Sequence, residues 1–268
     1  MKNQLKSFVL ILIIGAVSAR LSDEKCKEYH KDPNVKKDTL ISEFPHLGLL
    51  GYKDDDIIKY NCPATLISES VAVSPAHCMV TIQGPAKYLL FGPSNSSDNN
   101  NRKLFNITEI IVHPNYTRTN SVRQSSLALV KFSPPITPND NIKPGCLYTK
   151  SVDDKQTLTD LLWTRSGSDR ILFKDDVSII PTDSCIERYK KQKVTLMIDD
   201  HFFLCVLRKY NRDYVQNIGG TSHVVEDDVP KIVAIDNFGP RIPINELPDV
   251  TTKLYHYLDW IEQNVWKK

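Results

Sequence analysis

Sixteen positions separate Cys62 from Cys78, and the residues between them leave little choice of local fold. Ala64 to Val73 is a run of β-formers, ending in the small-residue turn Ser74-Pro75-Ala76 that presents His77 beside a cysteine. A disulfide from Cys62 to Cys78 would close this stretch as a stapled hairpin and hold the imidazole in place. A histidine on a short, fastened loop at a strand end has what a catalytic base needs.

The expected compartment agrees with disulfide formation. Lys2 and Lys6 precede the apolar run Phe8 to Val17, and Val17-Ser18-Ala19 fits a cleavage site, so residues 1–19 read as a secretory signal and the mature protein as extracellular. The apolar run is too short for a membrane anchor, and nothing later resembles a stop-transfer segment. Removing the signal takes two lysines from the 34 basic residues and leaves 32 against 32 acidic ones. A near-neutral chain has no overall electrostatic case for nucleic acid or an anionic membrane. Lys53-Asp54-Asp55-Asp56 and Lys190-Lys191 read as solvated loops. All six cysteines (26, 62, 78, 146, 185 and 205) follow the signal, and their even number argues for disulfides, although sequence alone leaves 15 pairings open. No Cys-x-x-Cys or His-x-His arrangement occurs, which speaks against a zinc site, and no cofactor is expected. Asn95-Ser96-Ser97, Asn106-Ile107-Thr108 and Asn115-Tyr116-Thr117 are glycosylation acceptors expected on surface loops.

Residues 20–43 are polar and read as an extended leader held by Cys26. From Phe44 onward short apolar runs alternate with turn signals, the pattern of an all-β chain, and 41% hydrophobic residues are enough to fill its core. Candidate strands are His46–Tyr52, Ala64–Val73, Tyr88–Phe91, Phe105–Val112 and Leu127–Phe132, then Leu161–Arg165, Ser178–Ile180, Phe202–Leu207, His223–Val225 and Lys231–Asn237. The polar insert Ser94–Asn101 reads as a mobile loop, and the proline-rich stretch near 133–150 as the boundary between two halves. Leu254, Tyr257, Leu258, Ile261 and Val265 fall at helical spacing, with Thr251 or Thr252 as a cap.

Several segments together resemble the chymotrypsin/trypsin family of serine proteases over most of Phe44 to Lys268. They are Ala76-His77-Cys78 with Cys62, Ile111-Val112-His113-Pro114-Asn115-Tyr116, Leu127-Ala128-Leu129-Val130, and the ending through Tyr257-Leu258-Asp259-Trp260-Ile261. Trp163, Cys185 with Cys205, and Gly219-Gly220 add to the likeness. Glu43-Phe44-Pro45-His46 and the Cys26-Lys27-Glu28-Tyr29 leader look like the arthropod branch, near the protease domain of clip-domain enzymes, but the leader is too short and too poor in cysteine to be read as a clip domain. The resemblance implies two packed six-stranded antiparallel β-barrels with a C-terminal helix. It also implies the bridges Cys62–Cys78, Cys185–Cys205 and Cys26–Cys146.

The same resemblance locates a site and its departures. The base falls on His77, the carboxylate that orients it on Ser126, and the nucleophile on Ile218, which has no heteroatom to attack with. Gln216 replaces an oxyanion-hole glycine, and Asn217 the aspartate that receives the new N-terminus of an activated zymogen; no Ile-Val-Gly-Gly precedes Phe44. Arg212 stands at the pocket floor, Asn237-Phe238-Gly239 at the pocket wall, and Tyr214 at a cysteine whose partner near Pro240-Arg241 is also missing. The expectation is a pseudoprotease in which His77 is a structural histidine bonded to Ser126 or a carbonyl. Such a protein acts by binding a protease, zymogen or cascade substrate in an extracellular proteolytic or innate immune cascade. The alternatives are recognition of a glycan or microbial surface, a scaffold protein of one body fluid, and an active hydrolase using Ser222 as a displaced nucleophile without a supporting carboxylate.

Overall fold

The computed structural model describes residues 19–31, 37–99, 101–118, 123–208, 217–240 and 247–267, with the side chains of Arg118, Asn217 and Ile218 outside the description. Six strands, β1 (Leu47–Asp54), β2 (Ile57–Ser68), β3 (Val71–Ser74), β4 (Tyr88–Phe91), β5 (Lys103–Val112) and β6 (Ala128–Ser133), close into an antiparallel barrel in the order β1-β2-β3-β6-β5-β4. Six more, β7 (Thr157–Ser166), β8 (Asp169–Ile180), β9 (Phe203–Arg208), β10 (Asn217–Glu226), β11 (Val229–Phe238) and β12 (Asp249–Lys253), close a second in the order β7-β8-β9-β12-β11-β10. The chain therefore uses one connectivity twice. A two-residue strand, Cys146–Leu147, runs parallel to β11 as a seventh member of the second sheet.

Burial on both faces explains how the strands read in sequence. On β2, Ala64 and Leu66 point into the first barrel with Tyr52 and Phe91, while Ile67 points to the seam between barrels. Such a strand loses polar alternation and reads as one apolar run. The expected single strand Ala64–Val73 is thus two, β2 and β3, with Glu69-Ser70 as the turn. At the seam, Phe44, Leu47, Leu49 and Leu90 pack on Leu161, Trp163 and Leu172 of the second barrel. Each such side chain contributes about 1.5–3 kcal/mol by leaving water.

The helices correct three expectations. The leader is not extended: α1 (Leu21–Tyr29) is a helix, fastened by Cys26–Cys146 and by Glu262 Oε1, which accepts from the Ser22 N–H and Oγ–H at 3.2 and 2.7 Å. A single-turn helix α2 (Leu40–Glu43) follows, capped by Thr39, whose Oγ1 accepts from the Ser42 N–H. Lys190 and Lys191 belong to the last turn of α3 (Thr182–Lys191), where cations face the negative end of the helix dipole, and not to a loop. Thr251 and Thr252 lie within β12 and cap nothing; α4 (Leu258–Val265) starts from Tyr257 after a short 3-10 turn. Leu258 and Ile261 of α4 are buried against seam residues Leu127 and Leu129.

The polar insert after β4 is also not a free loop in its described part. Ser96 N–H donates to the Arg170 carbonyl at 2.8 Å, Leu172 N–H to the Ser94 carbonyl at 2.8 Å, and Arg170 N–H to Ser96 Oγ at 2.9 Å. Residues 94–97 of the first barrel therefore extend the edge of β8 in the second. Among the described residues no helix is long and apolar enough to cross a membrane. The bridges Cys26–Cys146, Cys62–Cys78 and Cys185–Cys205 are all present, and each typically stabilises such a chain by about 2–4 kcal/mol.

Candidate functional site

His77 sits in the 3-10 turn Ala76–Cys78 that follows β3. The turn is fixed from three sides. Cys78 is bridged to Cys62 of β2, its carbonyl accepts from Tyr52 Oη at 2.6 Å, and its N–H donates to the Pro75 carbonyl at 3.0 Å. Upstream, Ser74 Oγ donates to the Pro63 carbonyl at 2.8 Å. The imidazole is half-buried, and its Nδ1 lies 3.1 Å from Ser126 Oγ.

Ser126 is fully buried at the entrance to β6. Ser125 just before it has φ of +49°, in the left-handed region, and its carbonyl accepts from Leu127 N–H at 2.7 Å. Tyr257 Oη donates to Ser125 Oγ at 3.3 Å. A tight bend anchored from the C-terminal end of the chain thus aims the Ser126 hydroxyl at His77. A hydroxyl can accept a hydrogen bond from the imidazole N–H and orient the ring, but it brings no charge to balance an imidazolium.

The second barrel approaches β2 of the first through Gly219. Gly219 has φ of +100°, where a side chain is strained, and faces Pro63 beside the Cys62–Cys78 bridge. A Cβ on Gly220 would fall 1.7 Å from the Leu161 carbonyl oxygen of β7, so only glycine lets β10 approach that closely. The paired glycines thus set the start of β10 close to Pro63 of β2 on one side and to β7 on the other. The backbone of Asn217 and Ile218 starts β10, with Asn217 opposite Thr164. Gln216, Tyr214 and Arg212 lie outside the described residues.

Among the pocket-wall positions, Asn237 is buried and Nδ2 donates to the Arg123 carbonyl and to Thr252 Oγ1 at 2.8 and 3.0 Å. Phe238 packs edge-on to Tyr189 of α3, with ring centroids 6.1 Å apart. Asp249 Oδ1 fills the space that a side chain at Gly239 would need. Ser222 is fully buried, and its cross-strand neighbour is Asp160. The expectation that no carboxylate stands near Ser222 is therefore corrected, while its burial keeps the hydroxyl from a substrate in the cleft.

Reading the sequence missed the group behind these positions. Arg208, ending β9, sets Nη1 3.1 Å from Asp160 Oδ2 and Nη2 2.6 Å from Asp249 Oδ2, and its Nε–H donates to Asp249 Oδ2 at 2.9 Å. Asp236 of β11 shares the site and accepts from the Gly220 N–H. Burial pushes Asp160 up to about 6 against the pull of Arg208. Burial also raises Asp236 well above the usual carboxylate range, reinforced by Asp160 and Asp249. Burial works against the Arg208 cation, but Asp249 and Asp160 outweigh it and raise its pKa. With one cation among three carboxylates, burial favours the protonated form of Asp160 and Asp236. The available signal was an aspartate inside an apolar strand: Asp160 between Leu158 and Leu161, and Asp236 after Ile235.

A second buried group joins the barrels. His46 Nε2 and His223 Nε2 are 2.8 Å apart, with both rings fully buried beside Phe44. Burial lowers both, His46 well below the usual histidine range and His223 to about 3. Among the described residues no group of three or more histidines, cysteines or carboxylates could hold a metal ion.

A family model described as Trypsin matches residues 34–261. Similar proteins include Serine protease snk of Drosophila melanogaster, 27% identical over 241 residues, which cover 84% of this chain and 55% of that protein. Serine protease Hayan of the same organism is 24% identical over 242 residues, covering 83% and 37%. Melanization protease 1, also from Drosophila melanogaster, is 24% identical over 261 residues, covering 85% and 64%. The chain thus spans between about a third and two-thirds of the length of these relatives. With paired six-stranded barrels, three disulfides and a family match across most of its length, the chain belongs to the trypsin family.

Proposed function

We propose that this trypsin-family chain is a secreted, glycosylated homologue without peptidase activity that works by binding another extracellular protein. The observation that carries the reading is His77 Nδ1 at 3.1 Å from Ser126 Oγ. Acyl transfer passes through an imidazolium, and here a neutral hydroxyl stands where the family places a carboxylate. Ile218 at the nucleophile position supports the same reading, since a hydrocarbon side chain cannot attack a carbonyl. The burial of Ser222 weighs against a displaced nucleophile. Asn115 is exposed, Asn106 is exposed but on strand β5 and not on the loop expected for it, and Asn95 is half-buried; this exposure is consistent with glycans on a secreted protein.

Restoring one group should not restore the reaction. Ile218→Ser is expected to give no measurable peptide cleavage, because Ser126, Asn217 and Gln216 remain; turnover above the parent background would show that these positions matter less than proposed. Labelling of Ser222 in the native protein by a fluorophosphonate would overturn the non-catalytic reading outright. The partner is sought by crosslinking tagged protein in the source animal's extracellular fluid. Recovery of a serine protease, a zymogen or its substrate supports regulation of an extracellular proteolytic cascade. Recovery of glycans or microbial particles alone would move the proposal to surface recognition.

A further inference from the structure

In the second barrel a cleft of about 610 Å³ opens between the first turn of α3, the end of β8 and the turn leading into β9. Its floor is aliphatic and only half covered: Ile179, Ile186 and Ile198 remain partly exposed, above buried Phe203. Its rim is acidic, with Asp154, Asp183, Asp199 and Asp200 all exposed. The one cation in the lining, Lys253, is half-buried and its ammonium is bound to the Asp200 carbonyl, so it leaves most of that negative charge facing solvent. The walls are preformed. Cys185 of α3 is bridged to Cys205 of β9, and the Phe202 and Phe203 N–H groups both donate to the Asp199 carbonyl at 3.1 and 3.0 Å.

Chemistry narrows the occupant. The rim carboxylates do not converge, and no metal-holding group exists among the described residues, so a divalent cation is not the ligand. Nucleic acid and anionic lipid are repelled by the same rim. What fits an apolar floor under a ring of carboxylates is an apolar side chain flanked by lysine or arginine, since anchor burial supplies affinity and opposite charge supplies approach and register. We propose that this cleft docks a basic segment of a partner protein through an aliphatic or aromatic anchor. None of the cleft's lining residues is at a position equivalent to the family's catalytic or specificity-pocket residues, so the proposal stands whether or not that site is catalytically silent.

The test uses the full secreted chain and a fluorescein-labelled peptide that alternates arginine with leucine and phenylalanine, read by anisotropy. The expected result is saturable binding that weakens at least tenfold in the rim variant Asp154→Lys/Asp200→Lys. The floor variant Ile198→Ser should weaken binding while keeping its salt dependence. A glutamate version of the peptide should not bind. Binding within twofold of the parent in both variants, or equal binding of the glutamate peptide, overturns the proposal. So does a dimer in sedimentation that the rim variant dissolves, because the cleft would then serve a second copy of the chain. An unchanged melting temperature of Ile198→Ser separates loss of binding from loss of fold.

Discussion

At the scale of single residues, two buried groups titrate in opposite directions. Asp236 holds its proton more tightly folded than unfolded, so its contribution is complete below the unfolded value near 4 and is lost as pH rises. Asp236→Asn keeps the shape of the protonated acid and cannot ionise. It is expected to match the parent near pH 4 and to exceed it near pH 7.5 by about 1 kcal/mol or more, roughly 2–4 °C in melting temperature. Equal melting temperatures at both pH values would place the proton elsewhere in the Arg208 group. His46 and His223 behave conversely. Their folded values are lowered, so their contribution is complete above the unfolded value near 6.5 and is lost as pH falls toward His223's value of about 3. The nearby His30 and Lys174 add positive potential in the same direction. His223→Gln should therefore lose about 2 kcal/mol less than the parent between pH 6.5 and 5, measured by denaturant unfolding at each pH. An unchanged loss would mean that water reaches the pair.

At the scale of elements, one side chain of α4 ties down the start of the leader helix α1. Glu262 accepts both Ser22 donors and lies 3.5 Å from Arg20 Nη1, which also reaches Asp259 at 2.8 Å. Glu262→Ala should cost about 1–3 kcal/mol locally and speed amide exchange in residues 22–26 about tenfold or more, while Cys26–Cys146 keeps α1 attached. Unchanged exchange would show that the bridge, with the Tyr29–Glu69 and Thr149–Asp23 hydrogen bonds, orders the helix without Glu262. Legibility in the sequence followed how much of an element's signal is local. Tyr88–Phe91 was readable to the residue because its ends are marked by turns, and the His77–Cys78 turn because its cysteine partner lies nearby. β8 was mostly hidden, since Lys174-Asp175-Asp176 breaks its apolar pattern, and β12 was missed because Asp249-Val250-Thr251-Thr252 reads as a cap. The leader's polar composition concealed a helix whose stability is supplied by tertiary contacts, and nothing local announced that His46 would meet His223 or that Arg208 would gather three aspartates.

At the scale of the molecule, the barrels share their interior. Trp163 and Leu161 of one pack with Phe44 and Leu49 of the other, and α4 covers residues from both. Calorimetry should therefore show one transition whose van't Hoff and calorimetric enthalpies agree; two resolved transitions would mean that the seam contributes little. The strap at Ser94–Ser97 makes the point sharper, since it hands the backbone of one half to the sheet edge of the other. Neither half has a finished outline without its neighbour, so the repeated connectivity does not make them interchangeable parts. Expressed apart, each should behave as an unfinished surface that aggregates, and mixing the two should recover the native spectrum only as a pair.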